Sequence, residues 1–154
     1  MGRDTSFGDE QFKGIIGESE FDKNLVFMIM PFTKDLGDTY TAVKDECEKL
    51  RLKCVRVDEA TGSGLILRKI FDYIERAEFI IVDLTYERPN VYYELGYAHG
   101  VGNSENDILL VAKMGTELHF DIAPLSVKFY ESTEDLRKII NQNLKSMMKI
   151  TRGI

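Results

Sequence analysis

The sequence predicts an α/β fold, a three-layer sandwich with about five parallel strands at its centre. Three observations carry that expectation. Short, unbroken apolar runs, LVFMIM at 25–30, FIIV at 79–82 and ILLVA at 108–112, suit strands covered on both faces. Segments with apolar residues at three-to-four spacing separate them, as helices packed on a sheet require. Strands alternating with helices imply right-handed crossovers and a parallel sheet.

Leu25 to Met30 is the first strand, and Pro31 and Phe32 stop it. A polar loop from Thr33 leads to a helix from about Asp38 to Arg51, with Tyr40, Val43, Cys47 and Leu50 inward. Leu52 to Val57 is the second strand. Lys53 and Arg56 interrupt its apolar character, which suits a sheet edge. Asp58 to Gly64 is turn-rich, with Ser63 a candidate N-cap for a helix to about Ala77 that turns Ile66, Ile70, Phe71 and Ile74 inward. The third strand ends at Asp83, and Leu84 to Arg88 is a polar connection. Pro89 sits well in the first turn of the next helix, where a missing N–H costs nothing. Val91, Leu95 and Ala98 form that helix's apolar stripe, and Gly96 is expected to allow close packing. Ile108 to Ala112 is the fourth strand and Ser126 to Tyr130 the fifth, with an irregular stretch between them whose FDIAP segment is expected to flank the site. The last helix runs from Thr133 to about Met148, capped by Ser132 or Thr133, with Leu136, Ile139, Ile140, Leu144 and Met147 on its apolar side.

A polar second strand fits the order 2-1-3-4-5, the flavodoxin-like arrangement, and that order places the switch point between the first and third strands. Ligands in open α/β sheets bind at such a point, outside the carboxyl ends of the strands. Phe32, Thr33, Asp83, Thr85 and Glu94 are therefore expected to converge there. Glu94 is the foremost candidate. A carboxylate near a helix N-terminus is favoured by unpaired N–H groups, so it stays ionised in a dry pocket and suits a nucleophile or a stabiliser of positive charge. Taken alone, an acid early in a helix is a favourable surface charge. Asn90, Tyr93 and Tyr97 around Glu94, with Asp83 and Thr85 at the strand end, raise the functional reading above that one.

The stretch DLTYERPNVYYELGYAHG, with the earlier VFMIMPF, resembles the nucleoside 2-deoxyribosyltransferase-like superfamily and, within it, bacterial TIR-like domains. The resemblance covers the order of elements from Leu25 to Tyr130. It implies that Glu94 attacks the anomeric carbon of a ribose or stabilises charge on it, and that Asp83 and Asn90 line the sugar site. It implies cleavage of the N-glycosidic bond of a nucleotide, first of all NAD, as in bacterial defence signalling. It also implies a homo-oligomer, with sites completed at subunit contacts. A deoxyribosyltransferase acting on deoxynucleosides is the second reading, and a non-catalytic nucleotide-binding or scaffold module the third.

Composition sets limits on the rest. The 154 residues suit one domain, expected to span 24–154 behind a flexible or docking arm at 1–23 that carries Phe12, Ile15, Ile16 and Phe21. A net charge of −6 argues against an extended nucleic-acid surface, which needs clustered Lys and Arg, but leaves room for one small nucleotide. No apolar run approaches a membrane span and no apolar signal segment opens the chain, so a cytoplasmic location without membrane contact is expected. Cys47 and Cys54 form no metal or redox motif and read as buried thiols. No cluster has metal-ligand spacing, so neither metal nor cofactor is expected, and NAD or a nucleoside enters as substrate. Ser63 and Gly64 at a helix start are candidate phosphate binders through backbone N–H groups, although a plain tight turn is the stronger reading of them. Phe32, Tyr93 and Tyr97 are candidate base-stacking residues, against a packing role for each. Asp58 and Glu59 are weaker candidates for ribose hydroxyls. His99 reads as a favourable charge at a helix end and His119 as a loop residue near the site.

Overall fold

In the computed structural model, residues 21–57, 64–118 and 125–153 are described. The strands are β1 (Asp22–Ile29), β2 (Lys53–Val55), β3 (Ala77–Asp83), β4 (Ile108–Lys113) and β5 (Val127–Tyr130). The helices are α1 (Gly37–Lys49), α2 (Gly64–Arg76), α3 (Pro89–Gly100) and α4 (Thr133–Arg152). All strand pairs are parallel and the order is β2-β1-β3-β4-β5, the flavodoxin-like sheet that the polar second strand predicts.

The period of two along the central strands divides the core into two layers. Val26 and Met28 of β1 and Phe79 and Ile81 of β3 pack with Val43 and Cys47 of α1 and Leu136, Ile140 and Leu144 of α4. Phe27 and Ile29, with Ile80 and Val82, pack instead with Ile70, Phe71 and Ile74 of α2 and Val91 and Leu95 of α3. Both faces of β1 and β3 are thus covered, which is why their sequences read as unbroken apolar runs.

Several boundaries differ from the expected ones for identifiable reasons. Strand β1 begins at Asp22, ahead of its apolar run, and carries an irregularity between Asp22 and Val26. There Asn24 adopts φ 77°, and its N–H donates to Glu78 Oε1 at 2.9 Å. Arg152 grips the same carboxylate through Nη2 at 2.7 Å and Nε at 3.0 Å, so α4 runs a turn beyond Met148 to reach the start of β3. Ser132 is the N-cap of α4 and accepts from Asp135 N at 3.1 Å. The connection after β3 is less polar than expected, since Leu84 is fully buried. Gly96 faces open space and is not a close-packing site: a Cβ there would meet nothing within 4 Å. Among the described residues, no helix is long and apolar enough to cross a membrane.

Candidate functional site

The candidate site lies at the carboxyl ends of β1, β3 and β4 and the start of α3. Glu94 stands on the second turn of α3 and is only 6% exposed, on the side that also buries Val91, Leu95 and Ala98. Pro89 opens α3 and Arg88 ahead of it is extended, so Glu94 lies within reach of the positive end of the helix. Asn90, one turn earlier on that helix, is exposed.

Asp83 is fully buried. Its Oδ1 accepts from Thr85 N at 2.9 Å and Thr85 Oγ1 at 2.5 Å, and its Oδ2 accepts from the Tyr130 hydroxyl at 2.6 Å. Thr85 Oγ1 in turn accepts from Lys113 N at 2.9 Å. One carboxylate therefore ties the ends of β3, β4 and β5 together. Burial pushes the Asp83 carboxyl up from its ordinary value, and the hydrogen bonds from Thr85 and Tyr130 hold it back only in part. Burial and the neighbouring Asp83 charge push the Tyr130 phenol up, which keeps it a donor. Tyr130 belongs to the layer of α1 and α4, whereas α3 packs on the opposite layer, so Asp83 is turned towards the side away from Glu94's helix.

The turn Thr85–Glu87 is built with two non-glycine residues in the left-handed region, Tyr86 at φ 68° and Glu87 at φ 47°. Such conformations cost energy and persist where surrounding contacts impose them. Here the Tyr86 hydroxyl donates to Asp35 Oδ2 on the loop after β1, which bridges the two walls of the switch-point crevice. Lys113 Nζ lies 3.7 Å from the same Asp35 oxygen. The Thr33 hydroxyl and the Tyr86 phenol hold the Asp35 carboxyl below its ordinary range, although Thr33 Oγ1 reaches no partner at full hydrogen-bond geometry among the described residues.

Phe32 is 38% exposed at the end of β1. The Arg56 guanidinium sits 5.0 Å from its ring centroid and 4.3 Å from that of Tyr40. Tyr97 stacks on Phe71 at 3.9 Å and donates to Glu75 at 3.2 Å, so its ring packs α3 against α2. Tyr93 is tilted over Phe71 at 6.1 Å and is 59% exposed. A cavity of about 380 Å³ opens between Thr85–Glu87 and residues 113–117. Ser63, Asp58, Glu59, His119, the FDIAP segment and residues 1–20 of the expected arm at 1–23 lie outside the described residues, the arm's last residues, Asp22 and Lys23, belong to β1, and Gly64 is described only as the first residue of α2. Among the described residues there is no cluster of potential metal ligands.

Sequence reasoning passed over Arg56, Tyr86, Lys113, Asp35 and Tyr130 as functional-end residues. Arg56 directly follows β2, and Lys113 and Tyr130 end β4 and β5, so the rule that ligands lie beyond strand carboxyl ends was a signal for those three.

No protein-family model matches the chain, and no curated protein matches it in sequence. Among solved structures, it resembles a flavo di-iron protein variant from Thermotoga maritima, with TM-score 0.63 and 16% identity over 90% of this chain and 40% of that one. A solved structure of a Thermotoga maritima flavoprotein gives TM-score 0.64 and 12% identity over 92% of this chain and 41% of that one. The chain thus spans well under half the length of these flavoproteins. A CMP N-glycosidase from Clostridium botulinum, BcmB, gives TM-score 0.54 and 17% identity, over 75% of this chain and 97% of that one. At these identities the likeness is one of fold: the chain has a flavodoxin-like α/β fold that flavoproteins and a nucleotide N-glycosidase share.

Proposed function

We propose that the protein cleaves the N-glycosidic bond of a nucleotide, with Glu94 as the catalytic carboxylate. The observation that carries this reading is a buried acid on the first turns of α3, beside the switch point of the sheet. When the base departs, positive charge develops on the sugar, and an ionised carboxylate in a water-poor crevice offsets that charge or forms a covalent ester with the anomeric carbon. Asn90 is the candidate for holding ribose hydroxyls. Asp83, whose two oxygens are engaged by Thr85 and Tyr130, acts as a positioning residue that fixes the β3–α3 connection.

Arg56 supports a phosphate-bearing substrate over a plain nucleoside, since it places a cation at the carboxyl end of β2 beside the exposed Phe32. The CMP N-glycosidase, matched over 97% of its own length, puts a nucleoside monophosphate alongside NAD as a candidate substrate. TIR-like NAD cleavage in defence signalling is the more specific form of the proposal, supported by the motif from Asp83 to Gly100. A homo-oligomer is part of it, with exposed Tyr93 and Phe21 available for subunit contact.

The test is release of free base, followed by chromatography, from NAD, from nucleoside monophosphates and from deoxynucleosides with an added acceptor base. Base release from NAD or a monophosphate supports the proposal. Exchange only between deoxynucleosides identifies a deoxyribosyltransferase. Binding without release of any base leaves a nucleotide-binding module.

A further inference from the structure

Among the described residues, the half-buried arginines are Arg56, Arg76, Arg137 and Arg152. Taking a cation out of water is costly unless something compensates it. Arg76 meets that cost with Asp22 and Asp72, Arg137 with Asp45, and Arg152 with Glu78. Arg56 stands apart. No carboxylate among the described residues lies within ion-pair distance of it, although the chain carries 26 acids against 20 Lys and Arg. Its guanidinium lies over two rings instead, those of Phe32 at 5.0 Å and Tyr40 at 4.3 Å, and its Nη1 reaches the Met30 sulfur at 3.6 Å. Asp35, three residues after Phe32, is engaged on the far side of β1 from β2: it accepts from Tyr86, which follows β3, and lies 3.7 Å from Lys113 Nζ of β4.

These partners hold the charge but leave the donors unanswered. A ring attracts a cation through its quadrupole and supplies no lone pair to an N–H, and a thioether is only a weak acceptor. A planar fork of N–H donors matches two oxygens of a phosphate, and such charge-assisted pairs are the strong ones. The place suits a ligand as well. Arg56 directly follows β2 and Phe32 lies just past the end of β1, so the cation stands at the carboxyl edge of the sheet, beside the β1 side of the switch point. Phe32 is 38% exposed, so solvent reaches this corner. Tyr40 comes from α1, Phe32 from the loop after β1 and Arg56 from the end of the edge strand. Three separate elements therefore fix the cation before any ligand arrives, and a donor held this way loses little freedom on binding.

We propose that Arg56 binds the phosphate of the nucleotide, and that Phe32, together with Tyr40, is the positioning residue that holds the guanidinium and does not stack on the base. The proposal deepens the reading of the chain as a nucleotide N-glycosidase and rests on it for the carrier of the phosphate. It is tested by binding instead of turnover.

The experiment is calorimetric titration of the full chain carrying Glu94→Gln, so that no base is lost during the measurement. The probes are CMP, AMP and NAD against cytidine, adenosine and inorganic phosphate. The tightest of the three nucleotides should bind at least about tenfold more tightly than either nucleoside and than phosphate alone, as a charge-assisted pair implies. Adding Arg56→Met, which keeps an apolar stem against the rings, should remove that advantage. Arg56→Lys keeps the charge without the fork and should restore only part of it. Should Arg56→Met fail to fold, as judged by circular dichroism, Arg56→Lys carries the test with the same expected direction. Phe32→Leu should weaken nucleotide binding, yet weaken it no further in a chain that already carries Arg56→Met, because Phe32 acts through the guanidinium. Equal affinities for nucleotides and nucleosides, or no binding of any probe, overturns the proposal, as does unchanged nucleotide affinity in a folded Arg56→Met or Arg56→Lys chain. Inorganic phosphate bound as tightly as the nucleotides overturns the nucleotide as its carrier. An equal loss from Phe32→Leu with and without Arg56 overturns the positioning role and makes Phe32 a base stacker. The outcome stays separate from that of the glycosidase reading. Arg56-dependent nucleotide binding without base release by the wild-type chain upholds the subsite and sinks the catalysis. Base release from nucleosides and nucleotides alike, unchanged by Arg56→Met, does the reverse.

Discussion

The Tyr130 hydroxyl, at the end of β5, donates to Asp83 Oδ2, at the end of β3, across 2.6 Å. Strand β4 lies between the two, so the bond reaches over its end and fastens three strands at the carboxyl edge of the sheet. Tyr130→Phe removes a donor from a fully buried carboxylate and should cost about 1–3 kcal/mol of folding stability. The pH dependence follows from the direction of the shift. Asp83 has a raised carboxyl in the fold, so its protonation stabilises the folded state below its ordinary value, and that contribution is lost as pH rises through the raised one. Losing the Tyr130 donor raises it further. Denaturant titrations of both chains should therefore show a wider stability gap at pH 7.5 than at pH 4. A gap that is constant across that range would show that Asp83 does not titrate there.

Glu78 behaves in the opposite sense. Burial pushes its carboxyl up, but the hydrogen bonds from Arg152 and Asn24 N–H and the Arg152 charge outweigh burial and leave it lowered. Its contribution is present above the ordinary glutamate value and is lost as pH falls through the lowered one. Arg152→Met leaves a nearly buried acid without its cation and should cost about 3 kcal/mol near neutrality. The same titrations should show that cost shrinking below pH 4. An Arg152→Met chain as stable as the wild type at pH 7.5 would mean that the clamp between α4 and β3 contributes nothing.

Cys47 and Cys54 supply a simpler check. Both are buried, and the Cys47 hydrogen bond followed by burial pushes the Cys54 thiol up. A thiol kept protonated and covered is a poor nucleophile. Alkylation by iodoacetamide at pH 8 should be slow in native protein and should proceed at the ordinary thiol rate in denaturant. Rapid native modification of either would contradict the burial of the α1–β2 contact.

The strand order was legible because Lys53 and Arg56 mark β2 as an edge, and α3 was legible because Pro89 fixes its start and Val91, Leu95 and Ala98 its inner stripe. Each of those signals is local. Asp83 could be seen as a strand-end acid, but its partner Tyr130 lies 47 residues on and meets it only through the register Asp83↔Val111 and Lys113↔Tyr130, which no local pattern encodes. Tyr86 escaped for a different reason. Left-handed backbone is ordinarily flagged by Gly or Asn, and Thr-Tyr-Glu contains neither. Its conformation is imposed by tertiary contact with Asp35, from 51 residues earlier.

Glu94→Gln separates chemistry from fold. The amide is nearly isosteric with the carboxylate and sits on the same turn of α3, so the melting temperature should stay within a few degrees of the wild type's. An amide cannot offset full positive charge on a sugar, nor form an ester with it. Turnover on whichever nucleotide the wild type cleaves should therefore fall by a factor on the order of a hundred or more, as for loss of one preorganised electrostatic stabiliser. Substrate affinity should change far less, because that charge develops only as the bond breaks. Asp83→Asn is the matched control. It keeps an acceptor for Thr85 but sets an N–H₂ group in the same enclosed space, so its main expected effect is lower stability. The folded fraction of Asp83→Asn should keep a much larger share of activity than Glu94→Gln does. Base release by chromatography, normalised to folded protein from melting curves, measures both. Wild-type turnover by Glu94→Gln would remove Glu94 from the chemistry, and equal losses in the two variants would place Asp83 beside it as a second catalytic carboxylate.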